Sequence, residues 1–94
     1  MKIKLGDVVL EFLIQKKVKY VFLITGGAIG FLIDSFSRKK KIKYICALHE
    51  QSAAMMADSY SRLGPNFAAT MSTSGPGATN LITGIYCSWF DSIP

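Results

Sequence analysis

Apolar and polar positions follow two rhythms along this chain: periodic stretches of helical spacing, and short runs that are apolar throughout. After Asp7, the residues Val8, Val9, Phe12 and Leu13 share one helical face. Asp7 is placed to cap that helix, and Lys16, Lys17 and Lys19 follow where a helix dipole favours cations. Tyr20-Val21-Phe22-Leu23-Ile24 is apolar at every position, the pattern of a strand covered on both faces. Thr25-Gly26-Gly27 breaks it. A second helix is predicted from Ala28 or Ile29 to about Arg38, with Phe31, Leu32 and Phe36 inward, and Lys39 to Lys41 make the turn. Lys43 to Ala47 reads as a second strand. His49-Glu50-Gln51 leads into a compact, small-residue helix bearing Ala53, Ala54, Met55, Met56, Ala57 and Tyr60 that ends near Arg62. Gly64-Pro65-Asn66 is a turn by composition. Phe67 to Ser72 is a third strand, and Ser74-Gly75-Pro76-Gly77 a tight loop. A fourth helix is predicted over Thr79 to Phe90, with Thr79 or Asn80 as its cap. Asp91 to Pro94 carries no signal of a structural ending.

The order is a helix followed by three strand–helix repeats. That alternation predicts an α/β fold, a three-layer αβα arrangement around a parallel sheet. At 94 residues the chain is one domain at most. Half of it is hydrophobic, rich for so small a domain, and part of that surface is expected to lie against something else.

The formal net charge is +5. Eight of the eleven basic residues fall in two groups, Lys16 to Lys19 and Arg38 to Lys43, between apolar segments, where solvated turns belong. No aromatic residues are interleaved with them as a nucleic-acid stacking platform requires, so no nucleic-acid partner is expected. Cys46 and Cys87 sit inside apolar segments without a CxxC partner and are expected as buried free thiols. That usage points to a reducing, cytoplasmic setting. No apolar run approaches the ~18–20 residues that span a bilayer, so no membrane association is expected.

Ligands of open parallel sheets gather at the carboxyl ends of the strands. Three segments are expected there: Thr25-Gly26-Gly27, His49-Glu50-Gln51 and Thr73-Ser74-Gly75-Pro76-Gly77. Each has a bland reading beside a functional one. The glycine turn is either a tight structural turn or a place of close ligand approach; it is neither GxGxxG nor a P-loop. Glu50 is either a first-turn carboxylate that steadies its helix or a functional acid. The third loop is either a capped turn or an anion site at a helix start. His49 has no second metal ligand at useful spacing, and no metal-binding residues are assigned.

Taken together, HEQSAAMMADSYSR, STSGPGATNLITGI and WFDSIP resemble the pyrimidine-binding domain of thiamine-diphosphate enzymes of the acetolactate synthase group. The resemblance covers nearly the whole chain. It implies that Glu50 is the catalytic carboxyl, hydrogen-bonded to N1′ of the cofactor's aminopyrimidine. That bond favours the imino tautomer, whose 4′-imine takes the C2 proton so that the ring can attack a 2-oxo acid. It places Gly26 and Gly27 in the turn near the cofactor, and Thr73, Pro76 and Asn80 beside the pyrimidine. It further implies thiamine diphosphate with Mg2+ held by a second domain, and a homo-oligomer formed through the pyrimidine/diphosphate domain interface.

Two departures bear on this. Many relatives carry proline before the paired glycines, where this chain has Thr25; the variant is similar to acetolactate-synthase-like proteins encoded with surface-sugar biosynthesis. The GDG…N motif of the diphosphate domain does not occur. Residues 1–94 are therefore expected to be a partial N-terminal domain, inactive alone, of an enzyme that decarboxylates and ligates 2-oxo acids. The alternative is a degenerate, non-catalytic dimerisation or interaction module.

Overall fold

A computed structural model describes residues 2–94. Helix α1 spans Leu5–Gln15 and strand β1 Tyr20–Leu23. A 3₁₀ turn, Gly27–Ile29, opens into α2, Gly30–Ser35. Then come β2 (Lys43–Cys46), α3 (Glu50–Leu63), β3 (Ala69–Met71) and α4 (Pro76–Phe90). This is the helix-then-three-repeats order that the hydrophobic pattern predicts.

The three strands are parallel in the order β2-β1-β3. Val21 faces Tyr44 on one side and Ala69 on the other; Leu23 faces Cys46 and Met71. The central strand divides its side chains between two cores, as the two-residue period of a strand requires. Val21 and Leu23 point to one side and pack with Leu10, Val18, Phe36 and Ile42. Phe22 points to the other and packs with Ala53, Ala57 and Ala68. Helices α1 and α2 pair over the first core, while α3 packs on β1 and carries α4. The result is the expected three-layer αβα arrangement.

Both helix pairs approach closely because one partner is glycine. A Cβ on Gly6 of α1 would collide with Ser35 Oγ of α2, and a Cβ on Gly84 of α4 with the Ala54 methyl of α3. The α3–α4 pair runs parallel and in register. Gly84 meets Ala54; one turn on, Ser88 Oγ donates to Asp58 Oδ2 at 2.7 Å; at the far end Arg62 binds both Asp58 and Asp91. Partner positions differ by 30 residues, or by 29 at the last contact.

Several expectations are corrected. Asp7 is not the cap of α1: Lys4 occupies that position, and Asp7 lies in the first turn, ion-paired at 2.7 Å with Arg38. The buried residues of α1 are Gly6 and Leu10, with Leu13 and Ile14 packed on the core. Val8 and Phe12 are exposed, because seating Gly6 on Ser35 rotates the helix about its axis. The same rotation logic applies to α2. Its 3₁₀ start turns Ile29 and Phe36 inward and leaves Phe31 89% exposed. Cys46 and Cys87 are free but exposed, not buried: the first sits on an edge strand, the second on the outer side of α4. The fourth helix starts at Pro76, not Thr79, with Gly75 as N-cap. Proline at the first helical position loses no hydrogen bond there. Neither Thr79 nor Asn80 caps it.

The chain end also has a structure. Ile93 N–H bonds Ser88 O at 2.9 Å and Ser92 N–H bonds Trp89 O at 3.2 Å, with Ser92 at φ 57°. That is a Schellman closure. Helix α1 ends the same way, with Lys17 at φ 64° and Val18 N–H on Leu13 O.

Two outcomes follow from this packing. Gly84→Val drives a branched side chain into Ala54 and is expected to cost about 1–3 kcal/mol. Gly30→Ala, where a Cβ meets nothing within 4 Å, is expected to be neutral or stabilising by up to about 1 kcal/mol. Urea denaturation of both variants checks the contrast. The second outcome concerns pH. Hydrogen bonds from Arg38 hold the Asp7 carboxyl below its ordinary value, and those from Arg62 and then Ser88 do so for Asp58. A carboxyl lowered on folding contributes its stability fully above the unfolded value, about 3.9. The contribution disappears as pH falls through the lower folded value. Thermal midpoints are therefore expected to stay level from neutral pH to about 5 and to drop below about 4. Asp58→Asn should flatten part of that drop, as read by circular dichroism.

Candidate functional site

Three connections leave the carboxyl ends of the parallel strands, and residues of all three come together. Gly26, after β1, lies against Thr73, after β3: a Cβ on Gly26 would fall 2.5 Å from Thr73 Cβ. Gly26 itself is extended, at φ −164°, so this contact, and not backbone freedom, is what excludes a side chain. Gly77, in the first turn of α4, touches the other side of the same threonine. A Cβ there would lie 2.8 Å from Thr73 Cγ2 and 3.2 Å from Glu50 Oε1. Gly75 supplies the positive φ, 71°, that turns the chain from β3 into α4.

Glu50 is the first residue of α3. His49 before it is extended, and its Nδ1 accepts a hydrogen bond from Gln51 N–H at 3.0 Å. A ring nitrogen thus takes the capping role more often filled by a serine or aspartate oxygen. From that fixed start the half-buried Glu50 side chain reaches across to α4. Its Oε2 accepts a hydrogen bond from Asn80 Nδ2 at 3.1 Å. This is the top contact of the parallel α3–α4 pair, again 30 residues apart.

Two helix N-termini therefore stand side by side at one carboxylate. Helix dipoles place positive potential at that end, and parallel neighbours repel one another unless an anion lies between their starts. Glu50 supplies the anion. Its own backbone N–H, and then Asn80, hold the carboxyl below the usual glutamate range; burial opposes them, and nearby His49 adds to the lowering. The group is ionised at neutral pH and can accept a proton or a hydrogen bond.

Of the residues singled out from sequence, the structure brings Gly26, Glu50, Thr73 and Asn80 into one contiguous set. Gly27 and Pro76 lie beside it without touching it. A Cβ on Gly27 would meet nothing within 4 Å, and Pro76 is an exposed first residue of α4. The space over Gly27 is open, so the backbone can be approached there. Sequence reasoning missed Gly77. A glycine inside the first turn of a helix costs that helix up to about 1 kcal/mol, which is a signal that something must come close. Among the described residues no group of three or more His, Cys, Asp or Glu could hold a metal ion. No described helix is long and apolar enough to cross a membrane.

A parallel αβα sheet with one carboxylate among glycines at its strand ends defines a cofactor-binding α/β domain. The sequence places that domain further. Residues 3–94 match the family described as thiamine pyrophosphate enzyme, N-terminal TPP binding domain, and the chain belongs to that family. It is 41% identical over 89 residues, 95% of its length, to acetolactate synthase isozyme 3 large subunit of Escherichia coli (strain K12). It is 40% identical over 93 residues to the acetolactate synthase large subunit of Haemophilus influenzae, and 39% over 89 to that of Buchnera aphidicola subsp. Schizaphis graminum. In each case the chain spans 16% of the relative's length.

Gly77→Ala tests the notch in which Glu50 and Thr73 sit. The added methyl has Thr73 Cγ2 and Glu50 Oε1 in its way, so both side chains must shift. We expect a cost of about 1–3 kcal/mol together with displaced NMR signals confined to residues of the three loops. Signals elsewhere moving while the loops stay fixed would contradict the geometry.

Proposed function

We propose that this chain is the pyrimidine-binding part of a thiamine-diphosphate enzyme that acts on 2-oxo acids by decarboxylation and carboligation, similar to acetolactate synthase. The observation that carries the reading is the single ionised carboxylate, Glu50, at the strand-end edge where Gly26, Thr73, Gly77 and Asn80 converge. Family membership supports it independently.

Thiamine diphosphate, when bound, supplies a nucleophilic carbon and a sink for the electrons released on decarboxylation. The chain's own residues serve one end of it. Glu50 would accept a hydrogen bond from the pyrimidine N1′ and hold a proton there, and the paired helix starts favour the charged carboxylate that this role needs. Gly26 and Gly27 keep the β1 turn free of side chains where the ring approaches. Thr73, seated against Gly26, and Pro76, at the start of α4, border the same approach. The diphosphate and its Mg2+ are assigned to a second domain.

Helix α4 supports that division. It contains no charged residue, and Ile82, Ile85, Tyr86, Trp89 and Phe90 form an exposed stripe at helical spacing. An uncharged apolar stripe of this size is the kind of surface that another domain or subunit covers. We assign it to the pyrimidine/diphosphate domain interface of a homo-oligomer. Free, exposed thiols on β2 and α4 fit a cytoplasmic setting.

In a protein carrying both domains, Glu50→Gln is expected to reduce cofactor C2 proton exchange by a factor of about 10² or more while circular dichroism stays unchanged. Exchange at the wild-type rate in that variant removes Glu50 from the chemistry.

A further inference from the structure

The two oxygens of Glu50 have different surroundings. Oε2 accepts from Asn80 Nδ2 at 3.1 Å, across the top of the α3–α4 pair. Oε1 sits over Gly77, on the side where a methyl would intrude and where the glycine leaves a notch. Asn80 is one turn before Gly84, whose contact with Ala54 sets how near the helices come. The amide is therefore delivered to the carboxylate by the register of the whole helix pair. That register is fixed further down by Ser88 on Asp58 and Arg62 on Asp91.

We propose that Asn80 is a positioning residue for Glu50: it anchors Oε2 and leaves Oε1 as the oxygen presented to the pyrimidine. The inference rests on the function proposed above and assigns Asn80 to the carboxylate instead of to the cofactor. An amide suits the task. It donates without adding charge, whereas lysine at this position would neutralise the carboxylate and aspartate would repel it. The groups facing Glu50 are its own N–H, His49 on the same helix and Asn80 on α4, with Thr73 and Gly77 closing the side. Removing the amide takes away one of the groups that keep Glu50 ionised, so its titration should move up toward the ordinary glutamate value.

The test uses the fact that the chain contains two glutamates, Glu11 and Glu50. Their side-chain carboxyl carbons give two NMR signals, assigned by Glu50→Gln. In the cofactor-free chain, Asn80→Leu is expected to raise the Glu50 midpoint and leave Glu11 in place. Asn80→Asp, which keeps the shape, should raise it further, and it decides the matter if the leucine variant does not fold. An unmoved Glu50 midpoint in a folded Asn80→Asp chain overturns the anchor. A second readout uses the two-domain protein with saturating thiamine diphosphate. There Asn80→Leu should slow C2 proton exchange about ten- to a hundredfold while changing cofactor Kd less than about threefold. An equal loss in both would make Asn80 a cofactor contact and overturn the proposal. The two ideas fail separately: wild-type protein that neither binds the cofactor nor exchanges C2 sinks the enzymatic reading, while the cofactor-free titration still reports on the anchor.

Discussion

The contact between Gly84 and Ala54 governs the rest of this structure. Helices α3 and α4 leave the two outer strands of the parallel sheet, on either side of β1, and run side by side in the same direction. How close they come is decided by the smallest side chains between them. With a hydrogen on one side and a methyl on the other, α4 settles near enough for every fourth residue to meet its counterpart on α3. The functional edge is the first of those meetings. Asn80 reaches Glu50 only because Gly84 reaches Ala54, and Gly77 admits the carboxylate only because the helix axis already lies so close.

Parallel helices at this separation carry an electrostatic cost, since their dipoles point the same way. The chain places its partial compensation at both ends. Glu50 sits between the two starts, and the Arg62 guanidinium bridges Asp58 and Asp91 near the two finishes. The carboxylate proposed to serve a cofactor ring thus also relieves repulsion between the elements that hold it. The proposed function and the fold here ask for the same charge in the same place.

Much of this was legible in the sequence. The solid run Tyr20–Ile24 announced a central parallel strand, and β1 is that strand, buried on both faces. The three loops at the strand ends were legible from topology, and the HEQ and GPGATN strings gave the family resemblance. What pattern could not supply was rotation. Val8, Phe12 and Phe31 were read as inward because they are large and suitably spaced. Helices α1 and α2 are instead oriented by a small pair, Gly6 and Ser35, that carries almost no hydrophobic signal. The cysteines were misread for a related reason: an apolar neighbourhood in sequence is not burial when the strand is an edge or the helix face is uncovered. Gly77 and the capping role of His49 escaped notice because each acts through a close approach between segments far apart in the chain.

The uncharged stripe on α4 has a practical corollary. Trp89 is the molecule's sole indole, and it stands 79% exposed on that stripe, about two and a half turns from Asn80 along the same rod. Any body that settles there must dehydrate it, so the colour of its fluorescence becomes a built-in gauge of whether that face is covered.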